Sequence, residues 1–243
     1  MTPNVHRIAM WSGPRNISTA LMRAWENRPD TMVHDEPFYA YYLKETGIPH
    51  PGAEEIMATY PTNPNRVMNQ LLGAVPEGIT IYYQKHMCHH IPRGTDMFWT
   101  RHVTNCFLIR HPAHVITSLA KVIGTPTLQQ TGFLDQYFYF LFLKGYTDDF
   151  IPVIDAADVL ADPRRILSML CDVIGVPFDE SMLSWPAGPR DSDGIWAPYW
   201  YKSVEQSTGF LPPSDPEPVP SELQPLVDQC ITGYEKMLEH ALR

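Results

Sequence analysis

The stretch Ser12-Gly13-Pro14-Arg15-Asn16-Ile17-Ser18-Thr19 brings a turn, a guanidinium and two hydroxyls together. It follows the apolar run Val5 to Trp11. It leads into Ile17, Ala20, Leu21, Ala24 and Trp25, which fall at helical spacing. The segment therefore joins a strand to a helix. A helix start offers unpaired N–H groups and a partial positive charge, and both favour an anion. Arg15 adds a full charge and a rigid fork of donors. The motif is not a Walker A loop, because GxxxxGK[ST] is absent and with it the lysine that reaches a γ-phosphate. A second pair has the same character. Arg110 ends the apolar run Cys106 to Ile109, and Ser118 lies about two turns into the helix opened by His111-Pro112. Both can face one phosphate. Taken singly, each feature also fits a capped strand–turn–helix or an arginine at the edge of a sheet.

Groups suited to proton transfer lie elsewhere. Glu36, in His34-Asp35-Glu36-Pro37, follows a short strand Thr31 to His34, and falls beside the first turn if that strand neighbours the first. Lys85 and His86 end a β-rich run that begins at Ile79. Lys85 is a compact charge for a leaving phosphate, and His86 has an ordinary pKa near 6.5, suited to taking a proton. The residues alone do not decide between Glu36 and His86 as base. His86, His89 and His90 invite a zinc reading, but His86 and His90 share a face only in a helix, and this segment begins as a strand. No metal site is expected. The aromatic runs Phe38 to Tyr42 and Tyr137 to Phe140 fit a core, or the wall of a pocket for an apolar or ring-bearing molecule.

Pro14-Arg15-Asn16-Ile17-Ser18-Thr19 resembles the phosphosulfate loop of the sulfotransferases, which use 3′-phosphoadenosine 5′-phosphosulfate (PAPS). That loop reads roughly Pro-(Lys/Arg)-x-Gly-(Ser/Thr)-(Ser/Thr). Arg110 and Ser118 are similar to the pair that holds the 3′-phosphate, and Val153 to Gly175 resembles the family's strand, acidic turn, Asp-Pro and helix. The resemblance spans roughly residues 5–178. It implies PAPS as sulfuryl donor without a metal, and a hydroxyl on a small-molecule acceptor. It places Gly13, Pro14, Arg15, Asn16, Ile17, Ser18 and Thr19 around the 5′ end, and Arg110 and Ser118 around the 3′-phosphate. Lys202 and Arg190 become candidate phosphate ligands of a C-terminal segment whose glycine-rich pattern is not recognisable in this chain. Glu36 looks like the base of members related to the tyrosylprotein and mycobacterial sulfotransferases; Arg15 and Lys85 would meet the leaving phosphate, and His86 is the rival base. Two residues depart from the pattern: Ile17 stands where a glycine is usual, and Ala20 where a tryptophan often stacks on adenine. An ATP-dependent phosphotransferase or hydrolase, and a non-catalytic nucleotide-binding protein, are the alternative readings on the same scaffold.

Those residues need a scaffold. Short strands alternating with helices imply an α/β fold, a parallel sheet with helices on both faces, with the ligand at the C-terminal ends of the strands. The resemblance makes this a P-loop or Rossmann-like sulfotransferase fold in a single domain over residues 1–243. Helices are expected at Ala53–Thr59, at Arg66–Ala74, from Pro112 to about Ile123, and at Gln129–Tyr146. Another, Arg164–Ile174, lies between an Asp162-Pro163 cap and Gly175. Residues 185–220 read as mostly irregular, with Ser221 capping a final helix. A chain of 243 residues buries roughly 70–75% of its unfolded surface, enough without disulfides or metals. The formal net charge of -9 argues against nucleic acid. Cys88, Cys106, Cys171 and Cys230 form no CxxC pair, and the apolar stretch Phe133 to Leu143 is too short to span a bilayer. No membrane association and a cytoplasmic setting are expected. The oligomeric state is left open, a homodimer included.

Overall fold

The computed structural model describes residues 5–147, 150–213 and 217–243. Strand β1 (His6–Ser12) leads into helix α1 (Ser18–Glu26), then β2 (Thr31–Asp35). Helices α2 (Tyr39–Thr46), α3 (Ala53–Thr59) and α4 (Pro64–Leu71) precede β3 (Ile81–Met87). A short 3-10 turn, Cys88–His90, follows β3. Then come β4 (Thr104–Ile109), α5 (Pro112–Ile123), α6 (Leu128–Thr131) and α7 (Phe133–Tyr146). The chain continues through β5 (Val153–Asp155), α8 (Ala156–Ala161), α9 (Pro163–Ile174), α10 (Ala197–Trp200), α11 (Lys202–Glu205) and α12 (Gln224–Leu238).

The five strands form one parallel sheet in the order β2-β3-β1-β4-β5. Strand β3 lies between β1 and β2, so the second strand does not neighbour the first, and Glu36 reaches the centre by another route. Alternation along the strands sorts the two core layers. Ala9, Trp11, Phe107 and Ile109 face the layer under α5, α7 and α12. Ile8, Met10, Cys106 and Leu108 face the layer under α1 and α9. Both faces are apolar because both are covered. A third cluster joins α2 and α3 to the C-terminal segment through Tyr39, Leu43, Ile56, Trp196 and Tyr201. Helix α3 has the expected bounds, and Asp162 caps α9 through Arg165 N–H.

Two expectations are corrected, the unbroken aromatic helix and the Ser221 cap. The long aromatic helix is broken at Gly132, whose φ of 70° ends α6 and starts α7. Part of the first aromatic run is helix α2. Ser221 does not cap α12, whose cap position is Leu223. The stretch 185–220 is mostly irregular, as expected, with only the short helices α10 and α11 in it, and residues 214–216 lie outside the described residues. All four cysteines are free and buried. Among the described residues no helix is long and apolar enough to cross a membrane.

Candidate functional site

A cavity of about 1050 Å³ opens where β1, β3 and β4 end. Pro14 to Ala20 form one wall, with Arg110 and Ser118 beside them. Glu36, Lys85, His89 and His90 also line it. Tyr39, Tyr42, His50, Trp200 and Tyr201 line it as well.

The first wall is strained. Arg15 and Ile17 hold left-handed backbone, with φ of 60° and 58°. For a β-branched residue this is an outlier, worth about 1–2 kcal/mol of strain. The departure Ile17 thus keeps the bend for which the resembling loops use glycine. No side chain caps the N-terminus of α1, so its leading N–H groups are left without a side-chain acceptor. Asn16 is a tether: its Nδ2 donates to Leu108 O of β4 at 3.0 Å. Gln136 Nε2 of α7 donates to the same carbonyl at 2.7 Å. Gly13 lies behind the loop against Gln136 and Thr131, outside the cavity wall.

The two expected anion sites touch. Arg15 Nε donates to Ser118 Oγ at 2.9 Å, and Arg110 Nη1 donates to Arg15 O at 2.8 Å. Among the described residues neither guanidinium pairs with a carboxylate. Burial pulls the pKa of each downward, and the charge of Arg15 adds to this at Arg110. Two neighbouring cations, partly desolvated and unmatched, form a site that favours an anion.

The opposite side of the cavity holds a buried ionic cluster. Lys85 Nζ donates to Asp35 Oδ1 at 2.8 Å, Glu36 Oε1 at 2.6 Å and Tyr201 Oη at 2.6 Å. Tyr201 O–H donates to Asp35 Oδ2 at 2.7 Å, and Trp196 Nε1 donates to Tyr201 Oη at 3.2 Å. Glu36 adopts φ of 44°, and its N–H donates to Lys85 O. That bond carries Glu36 from the end of β2 onto β3. Burial pushes the Glu36 carboxyl above its usual range, against the pull of Lys85. Burial would lower Lys85, but Asp35 and Glu36 outweigh it and hold the ammonium charged.

His86 is absent from the cavity wall. Successive β3 side chains point to opposite faces, so Lys85 and His86 separate. His86 is 1% exposed and stacks on Trp11 at 4.6 Å; burial drives its pKa well below 6.5. Lys202 is exposed on α11 and Arg190 donates to Pro186 O; neither lines the cavity. The run Tyr137 to Phe140 lies in α7, packs into or against the core, and does not reach the wall either. Tyr201 escaped sequence reasoning, since nothing in its spacing ties it to Lys85, 116 residues away. His89 and His90 were visible only as a metal motif. No group of three or more His, Cys, Asp or Glu among the described residues is placed to hold a metal ion.

Comparison with known proteins gives this geometry a family. Over 237 residues the chain is 35% identical to "Branched-chain-amino-acid aminotransferase-like protein 1" of Arabidopsis thaliana. The match covers 96% of this chain and 42% of the relative. Protein 2 of the same name is 32% identical over 236 residues, 96% of this chain and 41% of its own length. The chain thus spans less than half of either relative. The sulfotransferase domain of the Synechococcus PCC 7002 olefin synthase shares the fold with a TM-score of 0.55 and 17% identity, over 93% of this chain and 94% of that one. A sulfotransferase from Alicyclobacillus acidocaldarius does so with a TM-score of 0.56 and 10% identity, over 98% and 97%. A family model described as a sulfotransferase domain matches residues 6–241, and the chain belongs to that family of enzymes.

Proposed function

We propose that this chain moves a sulfuryl group from PAPS to a hydroxyl of a small, uncharged, apolar or ring-bearing acceptor. The observation that supports the reading is the unmatched pair Arg15 and Arg110, linked by a hydrogen bond from Arg110 to Arg15 O, in the wall of the same cavity as Glu36 and Lys85. A nucleotide phosphorylated at both ends suits two adjacent guanidiniums and an uncapped helix start. Ser18 and Thr19 add hydroxyl donors to the 5′ end. Phe210, which lines the same cavity as Ala20, is the candidate for the adenine face that Ala20 cannot supply.

PAPS supplies the sulfuryl group; the chain supplies position and charge. Arg15 and the start of α1 take up charge that develops on the leaving phosphate. Glu36 supplies the negative charge that draws the proton from the acceptor hydroxyl. Lys85 keeps that carboxylate apart from Asp35 and brings a cation toward the transferring group. Tyr39, Tyr42 and Trp200 give the acceptor aromatic walls, and among the described residues no unpaired cation stands on that side to welcome an anionic acceptor.

Calorimetry with adenosine 3′,5′-bisphosphate tests the donor end. Arg15→Ala and Arg110→Ala each weaken binding by about 1.5–3 kcal/mol, the worth of a charged hydrogen bond. Unchanged affinity in both variants would remove both anion contacts. Glu36→Gln keeps the binding and lowers turnover by about 10²–10⁴-fold, the span of general base catalysis.

A further inference from the structure

The two oxygens of Glu36 have different surroundings. Oε1 accepts from Lys85 at 2.6 Å. Oε2 faces His90 Nδ1 at 3.6 Å. His90 is 4% exposed, and its Nδ1 is buried without a hydrogen-bond partner. A buried polar atom left unpaired is costly, so a role is to be sought for it. Both faces of the ring are covered. Tyr39 stacks on it at 4.4 Å and 8°, and Tyr42 at 4.9 Å and 25°. Tyr39 is itself fixed by a hydrogen bond between its hydroxyl and His50 Nδ1. The imidazole is thus clamped with one nitrogen toward a carboxylate, in a residue that lines the cavity.

We propose that His90 and Glu36 form a dyad in which His90 Nε2 takes the acceptor's proton and Glu36 orients and balances the ring. This rests on the sulfotransferase reading and refines how its carboxylate acts. Nδ1 carries the hydrogen toward Glu36 Oε2, which leaves the Nε2 lone pair for the cavity. The separation of 3.6 Å exceeds a hydrogen bond, and catalytic contacts of this kind tighten when substrate fills the site. In the transfer step the acceptor O–H gives its proton to Nε2 and its oxygen forms the bond to sulfur. The bond from sulfur to the 5′-phosphate oxygen breaks, and its electron pair leaves on that oxygen. The imidazolium, balanced by Glu36, then returns its proton to water.

The charged and titratable groups around the ring are Glu36 and Lys85, His89 and His50, His86, and the hydroxyls of Tyr39 and Tyr42. Burial first, then the neighbouring imidazoles and Lys85, hold His90 neutral. That is the protonation state a base needs at the start of the step.

Nitrogen-15 NMR of labelled histidine reads the tautomer without any turnover. The dyad requires the Nδ1–H form at His90, with a shift of its Nδ1 resonance in Glu36→Gln. The Nε2–H form in the native chain overturns it. Hydrolysis of PAPS, with water as acceptor, gives the second readout. His90→Phe keeps the stack between the two tyrosines and removes both nitrogens; hydrolysis falls by about 10²–10⁴-fold while adenosine 3′,5′-bisphosphate binds as before. Added imidazole restores part of the rate in His90→Gly. A rate within about tenfold of native in His90→Phe overturns the dyad, since a general base supplies more than that. Failure of the native chain to bind adenosine 3′,5′-bisphosphate overturns the sulfotransferase reading instead, and the role of His90 as base falls with it.

Discussion

Three non-glycine residues hold left-handed backbone among the described residues, Arg15, Ile17 and Glu36, and all three line the cavity. Strain of this kind persists only where surrounding contacts over-determine it. For Glu36 the restraints are its own N–H on Lys85 O and the ammonium on Oε1. Tyr201, together with the Gly194 N–H on Asp35 Oδ2, ties this cluster to the C-terminal segment. Tyr201→Phe removes hydrogen bonds to Asp35 and Lys85, and unfolding in urea should show a loss of about 1–3 kcal/mol. Turnover should fall with it, because Lys85 and Glu36 lose a shared partner. Lys85→Met leaves Asp35 and Glu36 buried without a cation, and a loss of about 3–5 kcal/mol is expected in the same assay. A result under about 1 kcal/mol would mean that the ammonium does not hold the cluster together.

At the scale of elements, the joint between α6 and α7 bears on the anion wall. A Cβ at Gly132 would lie 2.9 Å from Pro14 Cδ and 3.3 Å from His89 Nδ1, at φ of +70°. Gly132→Ala should therefore cost about 1 kcal/mol or more in stability and weaken nucleotide binding by displacing the loop. Paired calorimetry and thermal melts check this, and a variant with native affinity would uncouple the joint from the loop. The same joint shows where sequence reading stops. The run Gln129 to Tyr146 is helical by pattern, and nothing in that pattern says that the backbone at Gly132 turns left-handed against Pro14. The loop, Arg110 and Glu36 could be picked out as candidates because each sits just after a strand, where a parallel sheet gathers its ligands, while Lys85 lies near the end of β3 and Ser118 within α5. Strand order was not legible. It is set by which strand packs between which, and β3 entered between β1 and β2. Alternation on β3 decided the fate of His86, and only the exact strand ending fixed that phase. Lys202 failed for a similar reason, since its neighbours Tyr201 and Ser203 line the cavity and it does not.

The whole molecule carries its buried imidazoles as a pH-dependent load. His86 and His90 are held neutral by burial well below 6.5, and burial pulls His89 down to about 4. The unfolded chain protonates these rings below about pH 6.5 while the folded chain does not. Unfolded chains then bind more protons, so stability falls as pH drops through 6.5, by up to about 1.4 kcal/mol per unit for each ring. Glu36 acts in the opposite sense, since its raised carboxyl binds a proton more readily when folded, from its raised value down to its ordinary 4.5. Asp135 and Asp155, raised by burial, act in the same sense as Glu36, but His34, His50 and His114 are lowered by burial as well, so the imidazoles outweigh the carboxyls and melts between pH 7 and 5 should show a falling midpoint. A flat profile would mean that the rings protonate inside the fold. The adjacent guanidiniums of Arg15 and Arg110 carry a different lesson, one about buffers. A chain of formal charge -9 holds two cations that repel each other until an anion arrives. Inorganic phosphate should thus raise the melting point in a saturable way, as a ligand does rather than as a general salt, and the increment should vanish when both arginines are replaced.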